Sequence, residues 1–160
     1  MTADAEGLWA ALEADAAGES ELWRDALLPE AEREREPVFS PLAAPRFALG
    51  LETIYEGYLA HYGRPRLFAR RDADTALLLG DYLYAHGLVR IAALGEVEAV
   101  RELAELISRC AHLRADGLPG DGEAWLATAE RLDGGAAARD RAARALAAHA
   151  ARTDRLQSRR

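Results

Sequence analysis

Four glycines stand in two pairs, each pair spaced seven residues apart, within stretches that otherwise have the composition of helices. Gly50 and Gly57 lie in the first stretch, and Gly80 and Gly87 lie in the second. A glycine inside a helix costs about 1 kcal/mol relative to alanine. Four such residues predict two helices whose backbones pack in close contact, with the stretch 49–85 at the centre of the fold.

The rest of the chain also favours helices over strands. No stretch alternates polar and apolar residues as a half-buried strand would, and β-branched residues are few. Apolar residues recur at helical spacing instead. We therefore predict an all-α bundle of about six or seven helices. They are expected over residues 2–17, 20–28, 40–62, 72–94, 96–116, 123–132 and 136–156.

Composition divides the chain into three segments. Residues 1–36 carry eleven acids and three arginines and are expected to form acidic N-terminal helices. Residues 37–134 form the helical core. Residues 135–160 are rich in alanine and arginine and predict a C-terminal helix or tail with little to bury. The acidic and basic ends are expected to attract each other, and the charged run 29–37 is expected to be a solvated helix or linker.

Charge and composition exclude several classes of protein. The formal net charge of −7 argues against nucleic acid as the main partner. The chain has no lysine, which excludes a Schiff base. Cys110 is the only cysteine, so neither an internal disulfide nor a cysteine zinc site is possible, and we expect an inert core thiol. Neither a signal peptide nor a transmembrane run is expected, which predicts a cytoplasmic protein.

The strongest candidate for chemistry is a pair of carboxylates. Glu52 and Glu56 lie four residues apart and therefore share one face of a helix. Such a pair can chelate a divalent cation, with Mg²⁺ the natural guest. Arg64, Arg66 and Arg70 follow closely and can hold phosphate oxygens beside the cation. The alternatives are that both carboxylates face solvent, or that they form ion pairs with those same arginines.

Two other sets of side chains predict packing or nothing specific. Three phenols on one side of the first glycine-bearing helix are expected to pack in the core or at an interface. They are Tyr55, Tyr58 and Tyr62. Three histidines on different predicted helices lack the spacing of metal ligands, so no zinc site is expected. They are His61, His86 and His112.

The stretch 79–85, Leu-Gly-Asp-Tyr-Leu-Tyr-Ala, resembles the helix that follows the first aspartate-rich motif of trans-isoprenyl diphosphate synthases. Gly63-Arg64-Pro65 matches that family's Gly-Lys/Arg-Pro segment. Residues 102–117 resemble its next helix, which helps to form the dimer interface. The resemblance covers about residues 42–118 and implies a truncated isoprenoid synthase core.

The same resemblance assigns a role to the two glutamates. Counting back from Gly63 by the family's spacing places Glu52 on the first aspartate of the motif and Glu56 on the last, with Thr53 replacing the second. The family ionises an allylic diphosphate between two acidic clusters that hold several Mg²⁺ ions. No second cluster follows residue 118, and the upstream lysine-containing diphosphate site is absent. The resemblance therefore implies a degenerate member that is not expected to catalyse.

By this resemblance we expect a non-catalytic accessory or dimerising subunit in isoprenoid biosynthesis. It would act as a homodimer or as a heteromer with a prenyl-synthase-like subunit. The implied interface lies on the second glycine-bearing helix and the helix after it. Its residues are Gly80, Asp81, Tyr84, Gly87 and Ile107.

Two further functions stay open. The first is a small Mg²⁺-dependent enzyme that binds or transfers prenyl diphosphates, with Glu52 and Glu56 on the metal and the three arginines on the diphosphate. The second is a helical interaction scaffold unrelated to isoprenoids. The scaffold predicts carboxylates that face solvent or sit in ion pairs with no cavity beside them. An apolar tunnel between the two glycine-bearing helices would argue against the scaffold.

Overall fold

The computed structural model describes residues 3–133 and 135–157, and within those ranges the predicted all-α architecture is confirmed. The helices are α1 (Ala3–Glu19), α2 (Glu21–Ala26), α3 (Ala48–Tyr62), α4 (Ala73–Ala92), α5 (Val97–Ala115), α6 (Asp121–Asp133) and α7 (Arg139–Gln157). Three 3₁₀ turns lie between α2 and α3, at Glu30–Glu32, Ser40–Leu42 and Pro45–Phe47. None of the described helices has both the length and the apolar character that a membrane span requires.

Side-chain caps fix the start of two helices. The Ser20 side chain accepts the backbone N–H of Trp23 at 3.2 Å and caps α2. Asp72 accepts the N–H of Thr75 at 2.8 Å and caps α4. Gly95, with a φ of 76°, takes the left-handed conformation shortly after α4 ends. These local signals therefore place α2 and α4 correctly.

The predicted start of the third helix at Ser40-Pro41 is wrong. The chain makes two separate 3₁₀ turns there, and α3 begins only at Ala48. Pro45 lacks an N–H group and disfavours helical geometry in the residue before it. Ala44 is accordingly extended, with a ψ of 139°. The interruption leaves α3 shorter than predicted and places Ser40 in the interior.

α3 is the central helix, and every residue from Gly50 to Ala60 is buried. It packs antiparallel to α4, with Gly50 opposite Gly87 and Gly57 opposite Gly80. A Cβ atom at Gly57 would lie 2.9 Å from the carbonyl oxygen of Gly80, and one at Gly87 would lie 3.0 Å from that of Gly50. The predicted close backbone contact is confirmed.

Gly87→Ala is expected to lower the free energy of unfolding by about 1–3 kcal/mol. The new methyl group would press on Ile54 and on the backbone of Gly50, so α3 and α4 would have to separate. Gly7→Ala in α1 is the matched control, because a Cβ atom there meets nothing within 4 Å. Its expected effect is a gain of up to about 1 kcal/mol from helix propensity. Urea unfolding followed by circular dichroism measures both, and equal effects would contradict the close packing.

Two groups of buried side chains fill the space around the α3–α4 pair. One is aromatic and joins α3 to α6, with the Phe39 and Trp125 rings stacked at 5.5 Å between centroids. The other joins α1 and α2 to α3, α4 and the loop that follows α3, around Trp9 and Trp23. The acidic N-terminal helices are therefore packed onto the core.

Two predictions about single side chains hold. Tyr55 and Tyr58 are buried in the aromatic group, as predicted for the row of phenols, and Tyr62 packs against it partly buried. Cys110 is also buried, and burial raises the pKa of its thiol to about 12. The thiol is therefore protonated at neutral pH, as an inert core cysteine should be.

The expectation that the C-terminal helix has little to bury is wrong. α7 buries Ala145 and three polar residues, His149, Arg152 and Thr153. Polar groups are tolerated inside a protein when they find partners. The Arg152 carbonyl accepts the backbone N–H of Arg64 at 3.0 Å, and the Thr153 hydroxyl donates to the His149 carbonyl at 3.0 Å. α7 is therefore held in place by polar contacts, although it has no broad apolar face.

The charged run 29–37 is solvated as expected, since none of its residues is buried, but ion pairs also hold it against the helices. Arg33 and Arg35 both pair with Glu13 of α1, at 2.8 and 2.7 Å. Glu34 pairs with Arg152 of α7 at 2.7 Å. The attraction predicted between the acidic and basic ends is thus present within the chain at this contact.

Candidate functional site

Glu52, Glu56 and Arg66 form one buried group, which we call the Arg66 cluster. The side chains of all three are at most 1% exposed. Arg66 donates from Nη1 to Glu52 Oε2 at 2.6 Å and from Nε to Glu56 Oε2 at 2.9 Å. α3 sets the two carboxylates one turn apart, and the loop after α3 returns Arg66 over them. Of the arrangements that the sequence left open, the structure contains the ion pairs.

The other two carboxylate oxygens are also occupied. Glu56 Oε1 accepts the backbone N–H groups of Arg66 and Leu67, at 2.7 and 2.8 Å. Glu52 Oε1 accepts the N–H of Ser40 at 3.2 Å. The two glutamates therefore tie α3 to the loop that follows it and to the turn that precedes it.

Aromatic rings and carbonyl groups surround the guanidinium of Arg66. Its Nη1 also donates to the Glu36 carbonyl at 2.9 Å, and its Nη2 donates to the Glu52 carbonyl at 3.3 Å. Its central carbon lies 4.8 Å from the ring centroid of Trp9 and 5.1 Å from that of Tyr55. Such cation–π contacts add to the stabilisation of a desolvated cation. The cluster thereby connects α1, α3, the run 29–37 and the loop after α3.

The balance of charge keeps Arg66 protonated. Burial lowers the pKa of its guanidinium, but the charges of Glu52 and Glu56 outweigh burial, so the pKa lies above its ordinary value. A permanent cation therefore already occupies the space between the two carboxylates.

The Arg66 cluster does not fit a Mg²⁺ site. Mg²⁺ needs oxygen ligands in near-octahedral geometry and keeps several waters. The carboxylate oxygens here are desolvated and engaged, and the guanidinium would repel a second cation. Among the residues that the structure describes, no group of three or more His, Cys, Asp or Glu side chains converges in a way that could hold a metal ion.

The three arginines proposed for a diphosphate do not converge. Arg64 is about half exposed and pairs with Glu34. Arg70 donates to the carbonyls of Gly63 and His61, at 3.3 and 3.4 Å. Only Arg66 reaches the two glutamates, and it is buried with them.

The five residues of the predicted subunit interface lie in different environments. Gly80 and Gly87 are buried against α3 of the same chain. Tyr84 and Ile107 are partly buried and pack against the aromatic side of the core. Asp81 is exposed. An interface on α4 would therefore have to use its opposite side, with the glycines facing inward.

A second, partly buried polar group escaped the sequence analysis. We call it the Asp121 cluster, and it joins α3, α5, α6 and α7. Its members are Tyr55, Tyr58, Arg114, Asp121 and His149. Tyr58 donates to Asp121, and Arg114 donates to both, with 2.7 Å to the Tyr58 oxygen. His149 Nδ1 lies 3.0 Å from the Tyr55 oxygen. His149 Nε2 lies 3.4 Å from Asp121 Oδ2, outside hydrogen-bonding geometry.

These contacts fix the ionisation of the Asp121 cluster. Burial would raise the pKa of the Asp121 carboxyl, but its contacts with His149, Tyr58 and Arg114 outweigh burial and hold that pKa well below its usual range. Burial, reinforced by Asp121, raises the pKa of the Tyr58 phenol above its ordinary value. The cluster therefore holds an ionised carboxylate and neutral phenols. His149 is only 4% exposed, so its ring has no direct access to a substrate in solution.

Sequence reasoning missed this cluster because its members are far apart along the chain. Tyr55 and His149 are separated by 94 residues. One signal was available, since Ala145, His149 and Arg152 follow helical spacing and mark one face of α7. A face marked by a histidine and an arginine carries no familiar motif.

An open groove of about 240 Å³ lies between α7 and the segment before α3. Its walls include Glu36, Pro37, Leu42, Arg141, Arg144 and Ala148, and none of the Arg66 cluster. At the centre of the fold, the backbone contact between Gly57 and Gly80 leaves no space for a tunnel between α3 and α4.

Comparison of this chain with protein-family models, with curated proteins and with solved structures finds no match. The resemblance to isoprenyl diphosphate synthases consequently stays a prediction that rests on the residues quoted for it.

Proposed function

We propose that this chain is a helical interaction protein without catalytic activity, in which the acids that resemble a diphosphate–metal motif stabilise the fold. The observation that carries the proposal is the burial of Glu52 and Glu56 in ion pairs with Arg66. The scaffold alternative predicts carboxylates that face solvent or sit in ion pairs with no cavity beside them, and the observed ion pairs agree with the second arrangement. A non-catalytic role next to a prenyl-synthase-like subunit is one special case of this proposal.

The residues of the Arg66 cluster do not meet the chemical needs of diphosphate ionisation, which supports the proposal. That reaction needs metal ions or donors that reach the leaving group. Here the two carboxylates are desolvated, and their one charged partner is buried with them. The direct contact of α3 with α4 also leaves no space for a prenyl chain between those helices.

The surface of α4 gives positive support for binding another macromolecule. Leu77, Leu78 and Val89 are 54%, 55% and 64% exposed. Exposed apolar side chains close together on a surface are typical of protein interaction sites. Leu77 and Leu78 are adjacent near the start of α4, and Val89 lies about three turns further along the same helix. The same helix supplies its inner face to the core, so its outer face is held in a fixed position for a partner.

Titration with an allylic diphosphate tests the proposal. We expect no saturable heat of binding up to about 1 mM ligand, with or without Mg²⁺. A dissociation constant above 1 mM corresponds to a binding free energy of less than about 4 kcal/mol. We also expect no release of pyrophosphate. Isothermal titration calorimetry and a pyrophosphate assay measure the two results.

The informative variant is Arg64→Ala with Arg70→Ala, since both arginines are exposed and neither belongs to the Arg66 cluster. Mg²⁺-dependent binding to the native chain that this double variant abolishes would overturn the proposal in favour of the enzyme.

A further inference from the structure

α7 buries much less apolar surface than the other long helices of the bundle. Among its side chains from Arg139 to Thr153, the only fully buried apolar one is Ala145, and the one large apolar residue, Leu146, is partly buried. α3, α4, α5 and α6 each bury at least two larger apolar side chains. Segments with few buried apolar contacts are the ones that open locally at low cost in free energy.

The ion pair between α7 and the charged run 29–37 can open without leaving a buried charge behind. Arg152 of α7 donates to Glu34 at 2.7 Å. Glu34 is 41% exposed and also pairs with Arg64 of the loop after α3. If α7 moved away, Glu34 would keep this cation and Arg152 would enter water. Breaking a buried ion pair is costly when one charge stays desolvated and unpaired, and that cost does not arise here.

His149 can leave the Asp121 cluster in the same way. Its Nδ1 atom lies 3.0 Å from the Tyr55 oxygen, and its Nε2 atom makes no hydrogen bond to any residue that the structure describes. Asp121 would keep its contacts with Tyr58 of α3 and Arg114 of α5. The carboxylate would therefore stay paired within the core, and water would supply hydrogen bonds to both nitrogen atoms of the released imidazole.

Packing beneath the N-terminal half of α7 is incomplete. The groove of about 240 Å³ lies between this half of the helix and the segment 36–42. α7 faces the groove with Ala145 and Ala148, whose side chains are too small to fill it. Side chains that line such a space lack contacts on one side. α7 is therefore already partly separated from its neighbour in the closed arrangement.

The surface beneath α7 is aromatic. The ring centroids of Phe39, Tyr55 and Tyr58 lie 5.6, 5.9 and 5.5 Å from that of His149. Just before α7, Gly135 is exposed, and a Cβ atom there would meet nothing within 4 Å. Hinges are a few loop residues that absorb changes of backbone angle, and glycine absorbs them at little steric cost.

We infer that α7 is a displaceable cover, which opens as a unit about Gly135 while α1 to α6 stay folded, and which uncovers the aromatic surface of Phe39, Tyr55 and Tyr58. While it is closed, the cover keeps this surface away from water and from other proteins. Opening of α7 does not depend on the proposed function, since it requires neither a partner nor a ligand.

Hydrogen exchange of the full chain, followed by mass spectrometry at increasing urea concentrations below the unfolding transition, tests the opening. We expect the amides of residues 145–149 to exchange at least about tenfold faster than those of α3, because a detached helix is only marginally stable in water. These amides lie in the middle of α7, so fraying of its ends does not expose them. Their exchange should also depend less on urea, since local opening exposes less surface than global unfolding.

Two leucine variants test whether incomplete packing permits the opening. Ala148→Leu extends into the groove and should slow exchange of residues 145–149 about tenfold through the added apolar burial. Ala147→Leu, at an exposed position of the same helix, is the matched control and should leave the exchange rate unchanged. Exchange of residues 145–149 at the rate and urea dependence of α3 would overturn the inference. Equal effects of the two leucine variants would overturn it as well.

Discussion

Arg66→Met is expected to lower the free energy of unfolding by about 3–5 kcal/mol. The substitution keeps a long unbranched side chain but leaves the carboxylates of Glu52 and Glu56 buried without their cation. Removing one partner of a buried ion pair is costly because the remaining charge is still desolvated. Urea unfolding followed by circular dichroism measures the loss.

Arg64→Met is the matched control for this variant. Arg64 lies two residues away and also pairs with a glutamate, but its side chain is 51% exposed. Exposed ion pairs contribute less than about 1 kcal/mol. If Arg66→Met and Arg64→Met lost equal stability, the Arg66 cluster would not be the stabilising centre that its burial implies.

Asp121→Asn is expected to lower the free energy of unfolding by about 2–3 kcal/mol, as hydrogen bonds to a charged group contribute about that much. The amide cannot neutralise Arg114 or accept the Tyr58 proton as strongly as the carboxylate does. Asp121 is also the first residue of α6, where a negative charge favours the helix dipole. Asp116→Asn is the control, because Asp116 is exposed. Its ion-pair partner is His112, which lies 3.5 Å away and is exposed as well.

The pH dependence of unfolding should distinguish these two variants. The pKa of Asp121 is held below its ordinary value in the folded chain, so the unfolded chain binds the proton more readily. The stabilisation is therefore complete above about pH 5 and is lost progressively as the pH falls below about 4 towards the lower pKa of the folded chain. The native chain and Asp116→Asn should lose this stability in acid, whereas Asp121→Asn should show a flatter curve. Parallel curves for all three proteins would contradict this role of Asp121.

Local signals were sufficient to predict most of the architecture. Helical periodicity depends on residues that lie within a few positions of one another, so it can be read from the sequence. The glycine pairs were informative for the same reason, since each pair marks one helix face. α7 was underestimated because its buried side chains, His149 and Arg152, are stabilised by residues about a hundred positions away.

The candidate site could be predicted only in part from the sequence. Helical spacing correctly placed Glu52 and Glu56 on one face of α3. It could not determine what lies opposite that face, because the answer depends on the path of the loop after Gly63. That loop carries the backbone N–H of Arg66 and its side chain to the same carboxylate, Glu56. A cation was expected between the acids, and the cation belongs to the chain itself.

One measurement tests most directly whether the Arg66 cluster is structural. It is the free energy of unfolding of the triple variant Glu52→Gln, Glu56→Gln, Arg66→Met. Replacing every charge of a buried ion-paired group is often nearly neutral, whereas removing one partner is not. We expect the triple variant to recover at least half of the stability that Arg66→Met loses. A triple variant no more stable than Arg66→Met alone would contradict mutual neutralisation of the Arg66 cluster.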